Sequence, residues 1–272
     1  LQLNTSTDQV WKLQEYSKGL LDLGDGKLPS AVPNVSGIIQ IPDQMVCKSH
    51  RELEDEVFEN FLHYYDDPQY FQTRAIMSSS IDIIQQKNFE IFEQMPGEMV
   101  ISNSIDSCVE DEQVATYDAE VLNRINASGI PPHRLALKPG ACIILIKNLN
   151  ISHGHCNGTR YIIKELTPRL IKAEKLCGGP HSEILIPRIP MISKDTDFPV
   201  PFKRLQFPIL LAYYLTLNRA QGQSLDRAGI YLPKSVFSHE HVYVGCSRCG
   251  DPNSVFIYAD QNEFDGVRQY LM

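Results

Sequence analysis

FPILLAYYLTLNRAQGQSL, residues 207–225, joins an apolar run to a polar, glycine-bearing turn. The apolar part, 209–215, is strand-sized. Thr216, Asn218, Gln221, Gly222 and Ser224 follow at what reads as the strand's carboxyl end. Open α/β sheets bind ligands beyond the carboxyl ends of their strands, where hydroxyls, amides and backbone N–H groups can meet phosphates. Downstream, 228–232 and 255–259 read as two further strands. Between them 237–248 reads as a helix that Ser238 caps and that ends in Tyr243-Val-Gly-Cys-Ser-Arg248.

Upstream the texture is again helix and strand. A first helix is predicted over 7–23, with Val10, Leu13, Leu20 and Leu21 on one face and Gly24 closing it. Ser49-His-Arg-Glu52 has capping-box spacing, and Leu53, Val57, Phe61 and Tyr65 follow at four-residue intervals until Asp66-Asp67-Pro68 ends the helix. Residues 74–77 read as a buried strand. Ser79-Ser80 then opens a helix through Phe92 that Pro96-Gly97 terminates. This order suits an α/β layer, with helices covering a mostly parallel sheet.

Past Ser128-Gly-Ile-Pro-Pro132 the pattern changes. Four short strand-like pieces, 141–147, 160–166, 170–176 and 184–189, lie close together and imply a small β-barrel or meander. Pro187, Pro190, Pro199 and Pro201 mark a stiff connection before the α/β texture resumes. The predicted architecture is one α/β domain, 1–130 and 191–272, with a small β domain inserted at 131–190.

The 272 residues are 43% hydrophobic and 21% charged, which excludes wholesale disorder, and no apolar run approaches the roughly 18 residues of a membrane helix. The net charge of −8 argues against nucleic acid until it is divided. Residues 1–130 carry 8 Lys and Arg against 22 Asp and Glu, whereas 131–272 carry 17 against 11. The second half is therefore a candidate phosphate-binding surface, with an ordinary solvated surface as the competing reading. Seven scattered cysteines, an odd number, fit the reduced thiols of an intracellular protein.

Three local patterns mislead. Gly24-Asp-Gly-Lys-Leu28 imitates the end of a phosphate-binding loop. It lacks the first glycine, puts Leu28 where a Mg²⁺-binding hydroxyl belongs, and follows a helix rather than a strand. Asp66-Asp67 reads as a helix stop rather than a metal-binding pair. His239-x-His241 with Cys246-x-x-Cys249 offers four soft ligands, but on one helix the two histidines point apart, and packed thiols are the preferred reading. No metal site is assigned.

The segments 207–225 and 243–248, in this order, resemble the last two motifs of superfamily-one helicases of the Pif (petite integration frequency) type and the related Helitron transposon helicases. Those read approximately Thr-x-Asn/His-Lys-x-Gln-Gly-x-Thr-Leu and Tyr-Val-Ala-x-Ser-Arg. The likeness continues through Leu21-x-x-Gly-Asp-Gly-Lys-Leu-Pro29, Arg74-Ala-Ile, Leu122-Asn with Gly129-Ile-Pro-Pro-His133, and Leu137-Lys-x-Gly-Ala141. It extends to Asn148-Leu, Cys156-Asn-Gly-Thr-Arg160, Ile186-Pro-Arg-Ile-Pro190 and Phe237-Ser-His239. The resemblance implies a second RecA-like motor domain interrupted by a small Src-homology-type β-barrel. It makes Arg248 the arginine finger, sets Gln221 and Gly222 at the nucleotide cleft, and gives Thr216, Asn218 and Ser224 to nucleotide or single-stranded DNA. ATP and Mg²⁺ would be held mainly by an N-terminal motor domain that this chain lacks, and single-stranded DNA would be the partner. The setting implied is nuclear, with the mitochondrion as the alternative.

Some positions depart from the family. Asn4-Thr-Ser6 stands for Asn-Met-Arg and Ser78-Ser-Ser-Ile81 for Thr-Pro-Arg/Lys-Asn, so two cations are lost; Gly245-Cys246 replaces Ala-Leu. The expectation is the C-terminal half of an ATP-dependent 5′-to-3′ DNA helicase, inactive alone. The alternatives are a non-catalytic single-strand-binding remnant and a zinc-dependent interaction domain.

Overall fold

Arg74–Ser78 is buried from its second residue on, as a strand covered on both faces must be. It lies inside a four-stranded parallel sheet in the order Tyr214–Thr216, Arg74–Ser78, Arg227–Leu232, Val255–Ala259. The computed structural model describes residues 7–28, 39–109, 118–127, 129–193, 201–233, 239–260 and 270–271. Among them no helix is long and apolar enough to cross a membrane. The chain divides into two compact units, one of residues 1–63, 73–90 and 213–272, the other of 64–72 and 91–212.

The first unit is the α/β layer. The His50–Val57 helix packs so closely on the sheet that a Cβ on Gly229 would lie 2.8 Å from Ile76 Cγ1 and 2.9 Å from Val57 Cγ2. Ser49 Oγ accepts from Glu52 N at 3.1 Å, as the capping signal required, but the helix stops at Val57 and does not continue to Tyr65. Asp66-Asp67-Pro68 does not end a helix either. Asp67 Oδ1 accepts from Gln69 N at 2.8 Å and so opens the Pro68–Gln72 helix, because a short acidic side chain followed by proline serves an N-terminus as well as a stop.

The first helix, Thr7–Gly24, buries a different face from the one expected. Leu13 and Leu21 are exposed, while Leu23 is buried and Tyr16 donates from its hydroxyl to Cys246 O at 2.9 Å. Val10 has no described side chain. The glycine-lysine stretch after it is a helix end. Lys27 N bonds Asp22 O and Gly26 N bonds Leu23 O, with Gly26 at φ 66°, the double bond of a left-handed glycine cap. Its backbone N–H groups are committed to the helix, and no phosphate cradle forms there.

The predicted strand 209–215 is two strands. Ile209–Leu211 pairs antiparallel with Cys142–Leu145 in the second unit, and Tyr214–Thr216 pairs parallel with Arg74–Ser78 in the first. The change comes at Ala212-Tyr213, where Ala212 N bonds Cys142 O and Tyr213 O accepts from Ile76 N.

The second unit is mainly antiparallel. Four of the five strands of its largest sheet are those expected between 141 and 189, in the order Ile209–Leu211, Cys142–Leu145, Arg160–Leu166, Leu170–Lys175, Glu183–Pro187. The two edge strands do not pair with each other among the described residues. A second sheet joins Ile189–Ile192, Phe202–Gln206 and Ile105–Cys108, and a third pairs Val100–Asn103 with Arg134–Leu137. The expected boundaries at 131 and 190 thus fall inside this unit, whose core includes Leu122, Ile130, Ile146, Met191 and Phe202.

Polar side chains stitch these sheets. Arg204, fully buried, forks onto both carboxylate oxygens of Asp106 at 2.7–3.1 Å and donates to Leu122 O, Ile125 O and Pro131 O, so all five of its N–H groups are used. Lys138 Nζ donates to Phe92 O, Glu93 O and Met95 O and so caps the carboxyl end of the Ile81–Gln94 helix. Arg160 and Lys175 are buried as well. Of the seventeen cations in the basic half, these four face inward, and Lys164, Lys172 and Arg227 pair with Glu174, Glu183 and Glu59. The formal excess in 131–272 therefore overstates the charge this half offers to a phosphate.

Candidate functional site

In the parallel sheet the chain leaves Arg74–Ser78 toward one edge and Tyr214–Thr216 toward the other, so the strand order reverses at this pair. Their carboxyl ends stand level, Thr216 opposite Ser78 and Ser78 opposite Tyr231. This is the crevice position of an open α/β sheet. Ser78 is fully buried there, and its Oγ has no hydrogen-bond partner among the described residues.

The polar turn sits on this end. Thr216 caps the four-residue Leu217–Ala220 helix, its Oγ accepting from Arg219 N at 3.4 Å. Asn218, Gln221, Gly222 and Ser224 are exposed around it. Gly222 takes φ 79°, which only glycine adopts without strain, so Gln221 and Gly222 form the apex of the turn. Gln223 holds the turn shut through its N–H to Ala220 O and its amide to Arg219 O.

Arg248 is brought to the same turn by its backbone. Leu225 N donates to Arg248 O at 2.8 Å, and Leu225 and Cys249 form a parallel bridge. Its guanidinium folds back, Nε to Val244 O at 3.0 Å and Nη2 to Ser247 Oγ at 2.9 Å, leaving Nη1 without a partner among the described residues. The helix that precedes it, His239–Cys246, passes so close to the sheet at Gly245 that a Cβ there would come 2.8 Å from Ile230 Cδ1 and 3.1 Å from Ile230 Cγ1. The glycine of the Gly245-Cys246 departure is thus accounted for by packing against the Arg227–Leu232 strand, and nothing in the structure explains the cysteine.

Arg219 is the site residue that sequence reasoning missed. Half-buried in the turn, its guanidinium has no partner among the described residues, and burial pulls its pKa down. A desolvated cation without a carboxylate is costly unless an anion completes it. The available signal was its place in the Thr-x-Asn-Arg stretch, where the family pattern has lysine.

The cysteines of the suspected metal group are packed thiols. Cys246 and Cys249 are buried, Cys249 Sγ lies 3.5 Å from Asp226 O and 3.4 Å from Asp251 O, and burial pushes the Cys246 thiol up to about 12. The side chains of His239 and His241 lie outside the described residues.

On the sheet face beneath the His50–Val57 helix, Tyr214 Oη donates to Glu54 Oε1 at 2.9 Å and lies 2.8 Å from His50 Nε2. The His50 ring stacks on Tyr214 and meets Tyr231 edge-on, near Tyr258, Lys87 and Glu90. Burial, with Lys87 second, pulls His50 down to about 4. An unfolded imidazole protonates near 6.5, so the unfolded chain binds more protons between these values. The stability present above pH 6.5 is therefore lost as the pH falls toward 4, by at most about 3 kcal/mol from His50. Glu54, raised by burial, acts in the opposite sense, its contribution fading as the pH rises through its folded value. In urea melts His50→Gln is expected to flatten the decline between pH 6.5 and 4; an unchanged slope would contradict this.

Comparison with known proteins bears on what such a site serves. Residues 120–166 match the family described as DNA helicase Pif1, 2B domain. The chain is 29% identical over 170 residues to the ATP-dependent DNA helicase PIF1 of Xenopus laevis, covering 61% of this chain and 24% of that protein. To the Homo sapiens protein of the same name it is 26% identical over 169 residues, with the same two coverages. The match thus spans about a quarter of these relatives. In fold the chain is similar to the Pif1 helicase of Candida albicans, at a TM-score of 0.58 and 20% identity, over 90% of this chain and 53% of that one. It is also similar to the Bacteroides Pif1 helicase solved with ADP-AlF3 and ssDNA, at a TM-score of 0.52 and 16% identity, over 90% and 48%. In sequence and fold the chain resembles the C-terminal part of Pif1-type helicases.

Proposed function

We propose that this chain, whose likeness is to the C-terminal part of Pif1-type helicases, supplies one side of a composite ATP site and part of a single-stranded DNA track. In this reading the first unit is the second RecA-like motor domain and the second unit contains the inserted β-barrel. Arg248 is the arginine finger that meets charge developing on the transferred γ-phosphoryl. Gln221 and Gly222 line the nucleotide cleft. Thr216, Asn218 and Ser224, with Arg219 beside them, face DNA phosphates, and translocation runs 5′ to 3′. The observation that carries the reading is the Leu225–Arg248 backbone bond, which joins the polar turn and the arginine turn at the carboxyl end of the parallel sheet.

ATP and Mg²⁺ are then held by a P-loop motor domain outside these 272 residues, since the only lysine-glycine loop resembling one is a helix cap. Reaching a γ-phosphoryl requires Arg248 to leave Val244 O and Ser247 Oγ, a side-chain rotation that an incoming anion offsets. The test is ATP turnover with single-stranded DNA present, by this chain alone and by this chain joined to a P-loop motor domain. Turnover is expected only from the joined form, and turnover by the chain alone would contradict the proposal. The second reading, a non-catalytic DNA-binding remnant, is favoured by the loss of a cation at Ser78-Ser-Ser-Ile81. It predicts DNA binding with no turnover in either form.

A further inference from the structure

The first unit holds a concave surface that the proposed helicase reading does not use. The Thr7–Gly24 helix lies on the His239–Cys246 helix, where Tyr16 donates to Cys246 O and a Cβ on Gly24 would come 3.2 Å from the Tyr243 ring. The Asp43–Met45 turn is tied instead to the Val255–Ala259 strand, Cys47 N donating to Ile257 O at 2.8 Å and Val46 bridging Ile257. Between these two anchorages lies a cavity of about 480 Å³, within the roughly 300–1,000 Å³ of small-molecule sites.

Most of its lining is apolar. Leu23, Ile41, Met45, Val242 and Ile257 are all buried residues that face it. Gly19 widens it. Glycine is poorly suited to a helix interior, and nothing forces it here: Gly19 has no left-handed φ, and a Cβ on it would meet nothing within 4 Å. Its effect is to leave the cavity wall without a side chain, one turn after Glu15 on the same helix face. The polar groups are few. Tyr16 spends its hydroxyl proton on Cys246 O, and the Asn253 amide nitrogen donates to Asp251 Oδ1 at 3.0 Å. Among the described residues Glu15 is the one charged side chain in the lining, and its carboxylate has no partner there.

An apolar cavity with a single unpaired carboxylate matches a molecule built in the same two parts. We propose that it binds a small amphiphilic amine, whose hydrocarbon body lies against Leu23, Met45 and Ile257 and whose ammonium group meets Glu15. Covering the apolar wall removes it from water, which supplies most of the attraction. The ammonium–carboxylate hydrogen bond is charge-assisted and selects the head group. A carboxylate ligand of the same shape is repelled at Glu15, whereas an alcohol keeps the burial and loses only the charge. The inference stands apart from the helicase reading, since it needs neither nucleotide nor DNA.

The experiment titrates the 272-residue chain with phenylpropylamine, phenylpropanol and phenylpropionate, followed by protein NMR shifts and by thermal melts of the same mixtures. The amine is expected to bind one to one with a Kd of about 1 mM or tighter, at least about tenfold ahead of the carboxylate. It should also raise the melting temperature, as a ligand of the folded state does. Glu15→Gln should bind the amine and the alcohol alike. Gly19→Leu should fill the cavity and weaken amine binding at least about tenfold, with a melting temperature no lower than the parent's, since leucine suits a helix interior better than glycine. Glu15 is exposed, so Glu15→Gln decides the case even where Gly19→Leu packs badly. No saturable amine binding, equal affinity for the three probes, an amine preference that survives Glu15→Gln, or full amine binding by a folded Gly19→Leu would each overturn the proposal.

Discussion

Asp106→Ala is expected to destabilise the second unit by about 3–5 kcal/mol, the range for removing one partner of a buried ion pair. Arg204 is fully buried, and among the described residues Asp106 is its only carboxylate partner, taking two of its N–H groups in a fork. Without that carboxylate the guanidinium keeps its three carbonyl acceptors and no counter-charge. The loss should spread to residues 122–131, which Arg204 ties to the Phe202–Gln206 strand. Urea unfolding of the parent and variant checks this. A shift under about 1 kcal/mol would mean that the pair is more hydrated than its burial indicates. Replacing both residues with apolar side chains of similar volume should recover most of the loss, because the penalty lies in the stranded charge rather than in a missing attraction.

Arg248→Ala should lower ATP turnover by about 10³-fold or more in a motor that contains a P-loop domain, the scale at which an arginine finger acts. Arg248→Lys should restore little, since a point charge cannot replace the planar fork on a phosphoryl group. Stability should change little: the side chain is only half-buried, and its described bonds go to its own helix and to Ser247. That separation makes the result interpretable. A kcat within threefold of the parent would remove Arg248 from the site, and a collapsed melting temperature would recast it as a structural residue.

The buried parallel strands, read from the sequence as 74–77 and 228–232, were legible because 75–77 and 228–232 carry no charged residue on either face, as a strand covered on both sides requires. The break at Ala212-Tyr213 was not, since an apolar run reads alike whether it crosses one sheet or two, and partners distant in sequence, Cys142 and Ile76, decide it. The strands 100–103, 105–108 and 202–206 escaped notice for a related reason. Their inward positions include Ser102, Arg204 and Gln206, polar groups that only tertiary bonds make tolerable inside. Within the candidate site, Thr216, Asn218, Gln221, Gly222 and Ser224 were legible as a polar turn after an apolar strand. The half-buried state of Arg219, without a partner among the described residues, was not, because a sequence does not distinguish it from Arg204, whose every N–H is spent inside. Net charge fails in the same way, counting Lys138 and Arg160 with cations that face solvent.

The most direct test is the affinity of the 272-residue chain for fluorescein-labelled, mixed-sequence, single-stranded oligonucleotides as salt is raised, followed by fluorescence anisotropy. A phosphate-binding track must lose affinity linearly in log–log form, by about 0.7 for each phosphate neutralised on a single strand. Such a slope is expected with little sequence preference, made shallower by about one contact in Arg219→Ala. Binding that is flat in salt, or a slope that Arg219→Ala leaves unchanged, would contradict it.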